Sequence, residues 1–187
     1  MFFYIFLIVV ASQRLIEVLI AKRNEKWMKS KGAKEYGKRH YRLMVAIHFL
    51  FFVSLIMESI LGRSDLNSDW PLLVAVFFIV QLCRVWVIMA LGRFWNTKII
   101  VLKDAEVVAK GPYKFIKHPN YLIVTIELII IPLIFNAYWT LFIFAILNQL
   151  ILAIRIPLEE EVLNKQTNYE DELTSKRRFI PLIRKSR

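Results

Sequence analysis

The chain reads as an all-α integral membrane protein, with about five membrane-spanning helices and a short C-terminal helical segment on the cytoplasmic side. Three observations predict this. The residues are 57% hydrophobic and 14% aromatic, with mean hydropathy +0.48, a composition too apolar for an ordinary water-soluble domain. Apolar runs long enough to cross a ~30 Å hydrocarbon core recur along the chain. The charged residues gather between those runs, and their sign alternates from gap to gap.

The spans are expected at residues 2–21, 43–61, 71–91, 120–135 and 138–156. The start shows neither the basic residues nor the small-residue cleavage site of a secretory signal, so the first run is read as a span. The fourth run is near the lower length limit for crossing and contains Glu127 and Pro132, so it kinks, tilts or dips in and returns. Residues 22–42 carry nine Lys or Arg against Glu25 and Glu35. The next gap holds Arg63 against Asp65 and Asp69, residues 92–119 are basic again, and the tail carries Lys176-Arg177-Arg178 and Arg184-Lys185-Ser186-Arg187. The positive-inside rule then gives an outside N-terminus, five crossings and a cytoplasmic C-terminus, in what is expected to be a bacterial plasma membrane. Anionic lipid headgroups account for the net charge of +11 without any nucleic acid.

Residues 1–187 form one membrane-embedded domain, with no repeat, low-complexity tract or long linker. Its single cysteine, Cys83, falls inside the third run and is read as a small buried apolar residue. It has no partner for an intrachain disulfide or a metal site, and no His/Cys/Asp/Glu grouping has metal-site spacing.

Polar residues inside the spans carry the functional signal, since an ionisable group at mid-membrane costs ~2.5–3.5 kcal/mol on the insertion scale. The first span holds Gln13, Arg14 and Glu17; the last two share a helical face and can neutralise each other. His48 and Glu58 lie on the second span, Gln81 and Arg84 on the third. His48 is read as a buried, hydrogen-bonded histidine. The fourth and fifth spans are expected to form an antiparallel hairpin turning near Asn136 and Ala137. In that register His118 lies level with Arg155, and Thr125 with Asn148. Glu127 falls within a turn, so Glu127 and Asn148 form a polar layer inside the hairpin. His118, Tyr121 and Arg155 form a second layer at its cytoplasmic end. Pro157 is expected to break the fifth helix soon after Arg155. The acidic run Glu159-Glu160-Glu161 then follows at the same interface. Two polar stretches that flank a membrane hairpin meet at one bilayer face, and a reaction site is expected there.

These stretches resemble the isoprenylcysteine carboxyl methyltransferase family. The first is Gly111-Pro112-Tyr113 through Lys117-His118-Pro119-Asn120-Tyr121; the second is Arg155-Ile156 with Glu159, Glu160 and Leu163; the third is Tyr169, Arg178 and Ile180-Pro181. The resemblance covers residues 93–181. Two positions depart from it. Lys117 stands where the family usually has Arg, which loses the planar two-pronged donor, and Glu172 replaces the second Tyr of the family's Y-x-x-Y. A finer resemblance, through Arg23-Asn24-Glu25, His40-Tyr41, His48, Arg93-Phe94-Trp95, Glu127 and Asn148, points to a bacterial branch similar to alkylpyrone and alkylresorcinol O-methyltransferases. Members of that branch are often linked to type III polyketide synthases.

The resemblance implies S-adenosylmethionine as methyl donor. The cofactor-binding residues it implies are Gly111, Tyr113, Lys117, His118, Pro119, Tyr121, Glu159 and Glu160, in a catalytic half over 92–187 that follows the N-terminal helices of 1–91. A Rossmann glycine fingerprint is absent, with only five glycines in the chain. Arg155, Glu127 and Asn148 are the expected catalytic residues, with Arg155 orienting an anionic oxygen in line with the sulfonium. The expected substrate is a lipophilic small molecule or membrane lipid entering from the bilayer, with either an alkylpyrone-type enol or a prenylcysteine-type carboxylate as acceptor. The same scaffold also serves phospholipid N-methylation and sterol reduction, and a non-enzymatic membrane protein is a third reading.

Overall fold

The structure is a computed structural model that describes residues 1–61, 65–173 and 176–180. Arg63, Pro181 and the basic tail at 184–187 lie outside the described residues. Six helices and a small ribbon follow in chain order: α1 Phe2–Ser30, β1 Lys34–Tyr36, α2 Lys38–Leu61, α3 Trp70–Leu91, β2 Ile99–Val101, α4 Pro119–Ile134, α5 Tyr138–Gln166 and α6 Tyr169–Leu173. Among the described residues, α1, α2, α5 and the α3 segment are long and apolar enough to cross a membrane. At 16 residues α4 is a shorter apolar helix, about 24 Å at 1.5 Å per residue.

Large apolar side chains cover the outside of the bundle. Ile8, Leu19, Leu72, Leu82, Met89, Phe142 and Ile146 are all exposed. Water would penalise so continuous an apolar surface, whereas lipid tails match it. Inside, α3 packs on α4, α2 on α5, and α4 on α5. One buried stripe of α3 runs Phe77, Val80, Arg84 and Val87, at the 3–4 spacing of a single helical face. Cys83 lies off that stripe and is exposed, contrary to the expectation of a buried residue. Each helical residue turns ~100° from the last, so the neighbour of a core position faces outward.

The bundle has two ends. At one, Phe135 meets Phe3 and Phe6 at ring separations of 4.8 and 5.5 Å, and Phe6 meets Phe77 at 5.0 Å. Here the α4–α5 hairpin turns as expected. Asn136 takes φ 52°, a left-handed conformation that asparagine tolerates better than most residues. Asn67 holds the turn: its backbone N–H donates to the Ile134 carbonyl at 3.0 Å and its side-chain amide to Asn136 Oδ1 at 2.9 Å. Glu58 caps the start of α5 by accepting from the Trp139 and Thr140 backbone N–H groups at 2.9 and 2.7 Å. A carboxylate is favoured there because it meets both the free N–H groups and the positive end of the helix dipole.

At the other end α1 and α5 run well beyond the expected spans. The ribbon lies here, pairing Lys34 with Val101 and Tyr36 with Ile99 in antiparallel register. Pro157 does not break α5, which continues to Gln166. Proline removes one intrahelical hydrogen bond, at a cost of ~3 kcal/mol. The turns beyond it are held by packing, because Val162 is buried with Ile99 and Val101, and Leu158 joins them. Gly111 takes φ +58°, and a Cβ there would stand 2.9 Å from Ala90 Cβ and 3.2 Å from Trp86 Nε1. The stretch leading into α4 therefore presses directly on the end of α3, which no larger residue permits.

Candidate functional site: a cavity between two polar clusters

A cavity of about 470 Å³ runs through the middle of the bundle toward the Arg155 end, within the size range of small-molecule sites. One polar cluster sits at its mouth and another at its inner end.

The mouth is built by the loop before α4, the first turn of α4 and the last turns of α5. His118 is the N-cap of α4 and is buried. Its Nε2 lies 3.0 Å from Glu160 Oε1. Tyr121, one turn on, donates to Glu159 Oε2 at 2.5 Å and accepts from Arg155 Nε at 2.8 Å. Arg155 Nη2 donates to the Thr97 carbonyl at 2.5 Å, which ties α5 to the segment before β2. Arg155 is only 3% exposed, yet among the described residues it has no carboxylate within ion-pairing distance. Its guanidinium donates to a phenol and a carbonyl, and that phenol donates in turn to the Glu159 carboxylate.

The C-terminal segment closes this end. The Lys117 and His118 backbone N–H groups donate to the Arg177 and Arg178 carbonyls at 3.0 and 3.1 Å. Arg178 clamps Glu160 with both Nε and Nη2, at 3.1 and 2.6 Å. Lys117 Nζ lies over the Tyr169 ring at 5.6 Å. Burial, and then the charge of Glu159, push the Tyr113 hydroxyl well above its ordinary pKa. Burial followed by Glu160 and Glu159 does the same to Tyr169. Both stay protonated donors at neutral pH. Trp95 Nε1, Asn120 Oδ1 and the Tyr169 hydroxyl are buried without a hydrogen-bond partner among the described residues. All three residues line the cavity.

The inner cluster joins three helices. Glu127 of α4 accepts from Gln81 at 2.8 Å and from Arg84 Nε at 3.0 Å, and it also contacts Arg84 Nη2 and Arg14 Nη2. Glu17 accepts from Arg14 at 2.7 Å, Arg84 at 3.2 Å and Gln13 at 3.0 Å. Two guanidinium groups thus face two carboxylates. The expected Arg14–Glu17 pair is present as half of this larger arrangement. Arg14, Glu17 and Arg84 line the cavity, while Glu127 stands behind them.

The hairpin register explains which expected neighbours meet. Asn148 donates to Thr125 Oγ1 at 3.0 Å, as the register predicts. Glu127 turns away from Asn148 toward α1 and α3, because residues two apart on a helix face different sides. At the mouth the pairing slides by about a turn, so that Arg155 meets Tyr121 and His118 meets Glu160. Tyr113, Lys117, His118, Tyr121, Asn148, Arg155 and Glu159 line the cavity. Gly111, Pro119 and Glu160 stand outside its lining and shape the mouth from behind. Thr97 was not foreseen, since it contributes a backbone carbonyl with no side-chain signal. Tyr169 and Arg178 carried a signal only through the resemblance.

Two bacterial proteins are similar to this chain over most of its length. The uncharacterized protein YpbQ of Bacillus subtilis (strain 168) is 41% identical over 163 residues, covering 87% of this chain and 97% of its own. An uncharacterized protein of Haemophilus influenzae (strain ATCC 51907 / DSM 11121 / KW20 / Rd) is 31% identical over 152 residues, covering 81% and 88%. Residues 73–165, from α3 to the end of α5, match the model of one family. That segment carries His118, Tyr121, Glu127, Asn148, Arg155, Glu159 and Glu160, so the chain belongs to the isoprenylcysteine carboxyl methyltransferase family.

Proposed function

We propose that the protein is a membrane-embedded, S-adenosylmethionine-dependent O-methyltransferase that acts on a lipophilic acceptor. One observation carries the reading. A single cavity joins a polar mouth, built by the segments that carry the family resemblance, to an interior reached through apolar side chains of α1 and α2. Val18, Val45 and Phe49 line the cavity and are also exposed. Their exposure on α1 and α2 is what suits lateral entry of a greasy molecule from the bilayer.

The residues at the mouth fit the cofactor by the chemistry of their groups. Lys117 offers a cation for a carboxylate, and Glu159 a carboxylate for an ammonium or ribose. Trp95 Nε1, Asn120 Oδ1 and the Tyr169 hydroxyl offer buried donors and an acceptor lacking partners. Leu152, Leu163 and Leu173 supply apolar walls for a purine. The group, when bound, supplies an electrophilic methyl on a sulfonium. Tyr113, Lys117, His118, Tyr121 and Glu159 are proposed to hold it, with Gly111, Pro119 and Glu160 fixing the backbone and the His118 ring.

The protein's own contribution is alignment and exclusion of water, which carry most of the rate of an in-line displacement. Tyr121 keeps Arg155 and Glu159 apart at fixed distances. Arg155 and Asn148 are proposed to orient the acceptor oxygen. Glu127 acts from behind by holding Arg14 and Arg84 in place. The proposed setting is a bacterial plasma membrane with the Arg155 end cytoplasmic, where the soluble cofactor is. A type III polyketide synthase is the proposed source of a long-chain acceptor.

The test is transfer of a labelled methyl from S-adenosylmethionine to long-chain pyrone or prenylcysteine acceptors by detergent-purified protein. Label in the organic phase that is lost in Tyr121→Phe and Arg155→Lys supports the reading. Absence of label with every acceptor contradicts it.

A further inference from the structure

We propose that His48 is the general base of the transfer, serving acceptors whose hydroxyl arrives protonated. The inference rests on the methyltransferase reading and adds to it a catalytic residue.

His48 sits in the middle of α2 and lines the cavity. Its Nδ1 lies 2.8 Å from the carbonyl oxygen of Met44, one turn back. A carbonyl can only accept, so Nδ1 carries a proton, and in the neutral ring Nε2 is then a bare lone pair. Among the described residues Nε2 has no protein partner. A histidine placed only to satisfy itself would need no more than the Met44 bond. This one turns a fixed acceptor into a cavity whose other polar groups are mostly donors.

Arg14 also lines the cavity. It spends two N–H groups on Glu17 and Glu127, out of the five a guanidinium carries. A bare lone pair in a cavity that also holds a cation with spare donors is suited to taking a proton from an acceptor oxygen.

The need for a base separates the two acceptor classes. A carboxylic acid, near pKa ~4, arrives ionised, whereas a phenol near ~10 arrives protonated. In the proposed step the acceptor O–H bond breaks and its proton goes to His48 Nε2. The oxygen electron pair forms the O–C bond to the methyl carbon. The C–S bond of the sulfonium breaks with its electron pair left on sulfur, giving a neutral thioether. The imidazolium then returns its proton to water, so the products are the methyl ether, the thioether and one proton.

His48→Asn tests this, because the asparagine amide can still donate to the Met44 carbonyl while the base is lost. Turnover is measured on phenolic and enolic amphiphiles of graded acidity, with S-adenosylmethionine binding followed by calorimetry. A positioned base is worth about 100-fold or more. The expected loss is therefore about 100-fold on weakly acidic phenols, shrinking to a few-fold on enols already ionised at the assay pH. A loss equal across the series, or none, overturns the proposal. The second readout needs no turnover. In protein with ¹⁵N-labelled histidine, the three rings are resolved and His48 is assigned by its absence in the variant. An unprotonated Nε2 that shifts when a phenolic amphiphile binds without cofactor supports the assignment; an Nε2–H tautomer or an unmoved signal overturns it. Failure of the wild type to bind S-adenosylmethionine overturns the underlying methyltransferase reading instead.

Discussion

Glu127→Gln is the most informative single change in the interior. The side chain keeps its size but loses its charge, and one oxygen becomes an NH₂. In the wild type Gln81 and Arg84 donate to Oε1 while Arg84 and Arg14 reach Oε2. In the variant an amide N–H₂ must face one of these donors, and two guanidinium groups share the single charge of Glu17. Removing one partner of a buried pair costs about 3–5 kcal/mol, because the other charge stays buried. At ~2–4 °C per kcal/mol for a chain of this length, the melting temperature should fall by roughly 6–20 °C. The assay is thermal unfolding in a mild detergent, with size-exclusion chromatography to confirm a folded starting state. Adding Arg14→Gln restores one cation against one carboxylate, Arg84 with Glu17, and should recover a large part of the loss. A Glu127→Gln protein that melts within about 2 °C of wild type would refute the reasoning. A stability difference that small means that Glu127 is already uncharged or that the cluster is not held by ion pairing.

Arg155→Lys should lower turnover about 100-fold and cofactor affinity far less, since an ammonium cannot reach both Tyr121 and Thr97 as the planar guanidinium does; enzyme with wild-type turnover would reduce Arg155 to a helix anchor. Glu160→Ala should release the C-terminal segment by removing the bidentate Arg178 partner and the His118 contact, read as faster proteolysis after Lys176 with thermal stability little changed. Gly111→Ala should destabilise the fold by forcing a Cβ to within 2.9 Å of Ala90, seen as a lower melting temperature. In a Cys83→Ala background, Lys31→Cys and Lys110→Cys should label from the cytoplasmic side and Asp69→Cys from the outside; labelling of Lys31 and Asp69 from one side would contradict the topology.

Much of the helical architecture was legible because the bilayer is a strict solvent. Apolar runs had to be helices, and the Asn136–Ala137 turn was visible as the one polar break in the hairpin. The Thr125–Asn148 pairing followed from counting along that hairpin. Counting became less accurate with distance from the turn, which is why Arg155 pairs with Tyr121 rather than His118. Glu127 was visible as a costly residue, but its partners were not, since sequence does not say which neighbouring helix a side chain faces. Pro157 misled because a local propensity was weighed without the packing of Val162 on the β ribbon, a ribbon of three-residue strands too short to announce itself. Thr97 acts through its backbone and left no trace.

Calorimetric titration of detergent-purified protein with S-adenosylmethionine tests the central claim most directly. The cavity mouth predicts one site of low-micromolar to sub-millimolar affinity, on the order of 6 kcal/mol, weakened by Glu159→Gln and by Tyr121→Phe. An absence of heat together with an unshifted melting temperature at millimolar ligand would contradict the account.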